Sequence, residues 1–242
     1  MKFLNNSEVI NIPSLTIEQV DALSLETAKL YQSIFALEPW NEVGLSNSGE
    51  ILSLSQVSDN FTPFYYVQDV ANRIKEVIQN PQNIFIASIS NQAYPINQDL
   101  LSKVTPVSTE FPESLSGLQL NEKQVFVTGF IWATQKSTEE ILQIKGGFCE
   151  PCAREYVSLN NLQKNAIFIE ELGVARYFQR GNIGRQLKNL IQQELDQRQQ
   201  TVFTNTSTSS GAYKLFTEMG AKVIAGPGVN GRDGYVLFKK QY

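Results

Sequence analysis

A mixed α/β layer fold, in one domain over residues 1–242, is what this sequence predicts. Three runs of strand length are dense in β-branched and aromatic residues: "IFIASIS" (84–90), "QVFVTGFIWATQ" (124–135) and "NAIFIEELGV" (165–174). Runs with helical periodicity lie on both sides of them. The third strand also leads straight into a glycine turn and a new amphipathic segment, in "ELGVARYFQRGNIGRQL" (171–187).

Taken in order, the first element is a helix over 16–37. Thr16 and Gln19 form a capping box, Leu15 and Val20 are placed as a hydrophobic staple, and Pro39 stops the helix. Val20, Leu23, Leu30, Ile34 and Leu37 make its apolar face. A polar stretch over 43–62 reads as an insertion. The second helix places Val67, Val70, Ala71, Ile74, Val77 and Ile78 on one face and ends at "NPQN". The strands follow, separated by two long connections at 91–123 and 137–164, lengths typical of lids or insertions. After the glycine turn a helix carries Leu187, Leu190, Ile191 and Leu195. A strand at 201–206 comes next, then a helix capped by Ser209 and ended by Gly220. Residues 222–240 read as a closing hairpin around "GPGVNGRDG".

Composition narrows the chemistry. The chain is 42% hydrophobic and 18% charged, with a net charge of −4, so it has no global basic field for nucleic acid or an anionic membrane. No apolar run reaches the length of a membrane span, and "MKFLNNSEVINIP" lacks the apolar core of a secretory signal. Two cysteines make no disulfide framework, which fits a cytoplasmic setting. Histidine is absent, which excludes Ser-His-Asp and Cys-His catalysis and removes the commonest metal ligand. Cys149 and Cys152 in "CEPC" are half of a zinc site, so no metal is expected. Acid–base work falls to carboxylates, tyrosines or lysines.

A glycine-rich strand-to-helix turn exposes backbone N–H groups at a helix N-terminus, where the macrodipole favours anions. Gly181 and Gly184 bracket Asn182, a residue type tolerant of left-handed backbone, and Arg176, Arg180 and Arg185 add positive charge. The bland alternative is a tight turn with solvated arginines. Neither the dinucleotide-binding nor the P-loop glycine pattern is present. A phosphate-binding α/β domain for another nucleotide is a third reading.

Val174, "ARYF" and then Gln179-Arg180-Gly181-Asn182-Ile183-Gly184 resemble motif A of the GNAT acyltransferase superfamily. Asn182 departs from it, standing where the family usually has its first glycine. "TNTSTSSGAYKLFTEMGA" (204–221) resembles the family's next strand and helix, "FVTGFIWATQ" its preceding core strand, and "FALEPWNE" (35–42) the end of its first helix. The resemblance implies acetyl-CoA or another acyl-CoA as cosubstrate, lying between two splayed strands, and no metal. Leu172, Gly173 and Val174 would hold the thioester and pantetheine, and the amides from Arg180 through Ile183 to Arg185 the diphosphate, with Gln179, Asn205 and Phe216 alongside. The expected reaction is direct attack of an amine, on a small molecule or a peptide, upon the thioester. A homodimer is left open.

The base must be found among few residues. The family's strand glutamates fall on Phe168 and Phe203, while Glu170 shares the face of Phe168 and Glu171 points the other way. A carboxylate pair within an apolar strand is locally costly and suggests function, with an ion pair at a frayed edge as the alternative. Glu170 is the candidate base and Glu171 its neighbour. Phe216 occupies the site of the family's tyrosine acid, and Tyr213, one turn earlier, is the substitute. Trp40 and Glu42 in "EPWNE" would frame the acceptor, as wall and as attractor of an amine. The absent tyrosine and strand glutamates also sustain a rival reading, an acyl-CoA-binding module with little or no turnover.

Overall fold

The computed structural model describes residues 8–9, 15–36, 42–53, 55–56, 62–96, 114–120, 122–137, 139–141, 165–207, 210–225 and 234–239. Its strands are β1 (Glu8–Val9), β2 (Gly44–Leu45), β3 (Ile51–Leu52), β4 (Thr62–Pro63), β5 (Ile84–Ser90), β6 (Leu118–Leu120), β7 (Lys123–Ser137), β8 (Asn165–Val174), β9 (Val202–Ser207), β10 (Lys222–Ala225) and β11 (Gly234–Lys239). The helices are α1 (Ile17–Phe35), α2 (Val67–Gln79), α3 (Ile183–Arg198) and α4 (Gly211–Glu218).

One mixed sheet runs β1-β5-β7-β8-β9-β11-β10, with β6 paired to β7 off this path, and a small sheet has the order β3-β2-β4. β8 and β9 pair in parallel, whereas β9–β11 and β10–β11 are antiparallel. Every residue of β5 is buried, as is β7 from Val125 to Thr134. This explains why both strands read as continuous apolar runs and not as alternations.

Contacts resolve two compact units. The first comprises residues 1–79, 86–130 and 173–183, the second 80–85, 131–172 and 184–242.

In the first unit α1 packs on α2. The expected capping box is present: Thr16 Oγ1 accepts from Gln19 N–H, and Gln19 Oε1 accepts from Thr16 N–H. α1 buries more than its apolar face. Glu26, 2% exposed, accepts from Lys29 Nζ at 2.8 Å and from the Gly117 N–H at 2.8 Å. A buried carboxylate is tolerated when it is paired in this way. It ties α1 to the turn leading into β6. Tyr94 donates its phenol hydrogen to the Val127 carbonyl, and burial, with the Glu26 charge adding to it, holds the phenol protonated far above the usual tyrosine range.

In the second unit Leu187, Ile191 and Leu195 are the buried positions of α3, while Leu190 is only half-buried; Ile183, the first residue of the helix, is buried and belongs to the first unit. Arg198 at the end of α3 donates to the carbonyls of Gln82 and Asn83, and Asn83 Oδ1 accepts from the Gln135 N–H at 3.0 Å. These bonds close the turn before β5 on β7. α4 is capped by Ser210, whose Oγ accepts from the Tyr213 N–H at 3.3 Å. That corrects the expectation for Ser209, which lies outside the described residues. Ser210 is also fixed by a 2.6 Å bond between its hydroxyl and that of Thr206. Gly220 ends α4 with φ +83°, as its position predicts.

Three more features depart from the sequence expectation. The polar stretch at 43–62 contributes β2 and β3 to the small sheet. β1 adds to the edge of the large one, and β6 makes a hairpin with β7 through Leu118↔Val125. Strands of two or three residues are too short to leave a period in the sequence.

Candidate active site

β8 and β9 are held together by three pairs only, Ile167↔Val202, Phe168↔Phe203 and Ile169↔Thr204. Both strands continue, β8 to Val174 and β9 to Ser207, and β9 stays paired along its other side to β11. The ladder they share therefore ends at Ile169 and Thr204, before either strand does. Thr204 Oγ1 donates to the Ile169 carbonyl at 3.0 Å, closing the ladder at its last rung. Ile169, Val202, Phe203, Thr204, Phe216, Met219 and Ala221 line a small apolar pocket. Phe216 is buried there, and Asn205, one residue past the last rung, is half-buried.

Glu170 points at Trp132 and Thr134. A Cβ built on Gly173 would stand 2.5 Å from Phe130 Cζ. Gly173 is a glycine because Phe130 and Ile34 Cδ1, at 2.8 Å, leave no room for a side chain.

The glycine turn follows at once. The Ala175 N–H donates to the Thr128 carbonyl (2.9 Å), a 3₁₀ turn covers Arg176–Phe178, and the Gly181 N–H returns to the Phe178 carbonyl at 3.1 Å. Gln179 Nε2 donates to the Val174 carbonyl at 3.3 Å, pinning the start of the turn to the end of β8. Arg180 (φ +68°) and Asn182 (φ +72°) are both left-handed, as expected for Asn182 and not foreseen for Arg180. Gly181 is required for space, since its Cβ would stand 2.9 Å from the Phe178 oxygen. α3 starts at Ile183, so the first-turn amides of Ile183, Gly184 and Arg185 have no partner within the helix. Left-handed residues alternating in such a turn aim successive N–H groups at one point, a concavity suited to an anion. Arg185 leans on Glu218 at 3.8 Å.

The carboxylates separate sharply. Glu170 has a side chain only 3% exposed. Its Oε2 accepts from Trp132 Nε1 at 3.1 Å, and its Oε1 accepts from Thr134 Oγ1 at 2.7 Å and Lys136 Nζ at 3.1 Å. Three alternate residues of β7 thus address one carboxylate on β8. Nothing in the sequence nominated Trp132, Thr134 or Lys136, although their spacing in "WATQK" places them on one strand face. Glu171 and Tyr213 are half-buried, the latter on the first turn of α4. Phe168 and Phe203 are buried and directly paired. Glu42, 4% exposed, accepts from the Tyr65 phenol, a partner that was also not predicted. Trp40, Cys149 and Cys152 lie outside the described residues. Among the described residues no group of three or more His, Cys, Asp or Glu is placed to hold a metal ion, and no helix is long and apolar enough to cross a membrane.

A mixed central sheet flanked by helices is the fold of this chain, and it is similar to the fold of GNAT N-acetyltransferases. No family model matches the sequence, and no curated protein matches it. Among solved structures, a protein of Pyrococcus horikoshii OT3 is 14% identical over 98% of this chain and 99% of its own, with a TM-score of 0.50. The ribosomal-protein-S18-alanine N-acetyltransferase of Escherichia coli is 12% identical over 97% and 93%, with a TM-score of 0.45. The PaiA N-acetyltransferase of Thermoplasma acidophilum, solved with coenzyme A, is 10% identical over 98% and 99%, with a TM-score of 0.43. At these identities the likeness is one of fold.

Proposed function

We propose that this protein transfers an acyl group from acyl-CoA to an amine by direct attack on the thioester. The observation that carries the reading is the end of the β8–β9 ladder at Ile169/Thr204, on a strand that ends in the turn of left-handed Arg180 and Asn182. Pantetheine is an extended chain bearing amides. The edge of β8 beyond its ladder with β9 offers it strand-like hydrogen bonds, with Leu172, Gly173 and Val174 next to the thioester. Gln179 braces the turn, and the amides of Arg180, Asn182, Ile183, Gly184 and Arg185 take the diphosphate, while the Gly181 N–H is used within the turn by the Phe178 carbonyl. Asn205 and Phe216 line the β9 side.

An alkylammonium with pKa about 10.4 is almost wholly protonated at pH 7, so the reaction needs a base. Glu170 is our candidate, working through an intervening water because its oxygens already receive three donors. The departing thiol, similar to cysteine at about 8.5, leaves with less help, so Tyr213 has the smaller task. The bond formed is C–N and the bond broken is C–S. The ammonium gives up two protons: the first goes to the base before attack, and the second leaves nitrogen as the tetrahedral intermediate collapses and reaches the departing thiolate by way of Tyr213 or solvent.

Coenzyme A is the ligand to test. It should raise the melting temperature of the protein, because a ligand that binds only the native state stabilises it by mass action. Gly184→Val should abolish the shift, since a branched side chain would stand where phosphate meets backbone. A folded Gly184→Val protein with unchanged CoA affinity would overturn the reading. Binding of acetyl-CoA with no transfer to any of a broad set of amines would establish the binding-module alternative.

A further inference from the structure

The first unit contains a second polar centre that the transfer chemistry above does not use. Tyr31 and Phe35 of α1 stack at 4.3 Å between ring centroids. Tyr65 meets both edge-on, at 5.0 and 5.8 Å, and Phe64 packs on Tyr65 at 4.6 Å. Two side chains that carry oxygen acceptors hold the two ends of Tyr65. Glu42 receives the Tyr65 phenol at one end of that residue. At the other end Gln32 Nε2 donates to the Tyr65 backbone carbonyl at 2.7 Å. That bond fixes which end of the amide is oxygen, because a carbonyl accepts only from NH₂. Gln32 is 2% exposed and its Oε1 has no hydrogen-bond partner. A buried amide oxygen without a donor is costly in a finished core and marks a place where a donor belongs.

We propose that this cluster receives the ammonium group of the acceptor, and that the acceptor is a primary amine carried on an apolar or aromatic carbon skeleton. The lining meets the needs of a cation with several N–H donors. It has a carboxylate, an orphan amide oxygen and ring faces whose quadrupoles favour positive charge. It also leads toward the reacting end of β8. Tyr31 stacks on Phe130 at 6.1 Å, and Phe130 is the residue against which Gly173 is packed. Tyr65 and Phe64 are only partly buried. The assignment rests on the acyl-transfer reading, and it gives Glu42 the role of cation anchor, apart from the base.

Ligand-observed NMR on the full chain saturated with CoA tests it, with phenethylamine as probe and phenethyl alcohol as its neutral counterpart. The amine should bind saturably and the alcohol should not displace it. Glu42→Gln should weaken the amine at least about tenfold, as loss of a charge-assisted bond implies. Gln32→Leu, which keeps the volume and removes the orphan oxygen, should weaken it too and leave CoA binding intact. It also serves as the second variant if Glu42→Gln does not fold. Equal binding of amine and alcohol, amine affinity unchanged in either folded variant, or no amine binding to a protein that binds CoA, overturns the proposal and leaves acyl transfer standing. Failure of CoA itself to bind would instead remove the parent reading.

Discussion

Thr204 gives its hydroxyl hydrogen to the Ile169 carbonyl at the last rung shared by β8 and β9. Both residues are buried, so the bond cannot be replaced by bulk water. It lies at the end of the ladder that the two strands share. Thr204→Val keeps the shape and removes the donor, leaving a buried carbonyl unsatisfied. It is expected to cost about 1–3 kcal/mol. Urea unfolding measures this, and CoA affinity in the same variant should fall as well. A stability loss with no change in CoA affinity would mean that the rung supports the sheet alone.

Gly173 has a steric reason to be glycine. Gly173→Ala should push Phe130 and Ile34 and destabilise the fold by about 1–3 kcal/mol, the usual cost of overpacking. Adding Phe130→Leu should return part of that loss. Thermal unfolding of the single and double variants checks the coupling, and strict additivity would place the strain elsewhere.

How much of this could be read beforehand depends on length and on sequence distance. α1 with its Thr16–Gln19 box, β5, β8 and the order of the elements were legible because each carries a period or a cap within a short window. The two-residue strands β2 and β3 carry neither. The turn at 179–184 was legible as a loop type, yet the left-handed φ of Arg180 was not, because arginine gives no hint of it. Glu170 was legible as an anomaly in an apolar strand. Its partners Trp132, Thr134 and Lys136 lie on another strand, and only strand register brings them to it. Tyr65 reaches Glu42 in the same non-local way, across 23 residues.

Tyr94 makes the protein sensitive to alkali. Its folded pKa is raised by burial above the unfolded value of about 10, so its stabilising contribution is complete below pH 10 and is lost as pH climbs beyond it. Unfolding free energy should therefore drop above pH 10. Tyr94→Phe, less stable at neutral pH for want of the bond to Val127, should show a shallower drop. Identical slopes in denaturant titrations from pH 9 to 11 would contradict this.

Arg180 and Asn182 hold left-handed backbone without being glycine, and arginine carries the greater penalty, of order 1–2 kcal/mol. Arg180→Gly should stabilise the unliganded protein by up to about 1 kcal/mol while weakening CoA, since relief of strain and loss of the charge proposed to face phosphate act in opposite directions. Asn182→Gly should be nearly neutral in both. Calorimetry with and without CoA separates the two effects. Tighter CoA binding by Arg180→Gly would show that the guanidinium faces solvent.

Glu170 has one role seen in its contacts and one proposed, and they can be measured apart. As the hub for Trp132, Thr134 and Lys136 it should be expensive to remove. Glu170→Ala leaves a partly buried ammonium and an indole N–H without their acceptor, at a cost of about 3–5 kcal/mol. Glu170→Gln with Lys136→Met removes both charges of the pair and should regain much of that stability. As the base, Glu170 has a signature that stability does not move. Near pH 7, Glu170→Gln should lower kcat/KM by about 10²-fold or more. The deficit should shrink toward pH 9–10, where more of the amine is already free. The paired pH–rate profiles of wild type and the stability-restored double variant decide the matter. Parallel curves would confine Glu170 to holding β7 against β8 and pass the proton to solvent. Converging curves, in a protein whose unfolding midpoint has been restored, would identify it as the group that takes the proton.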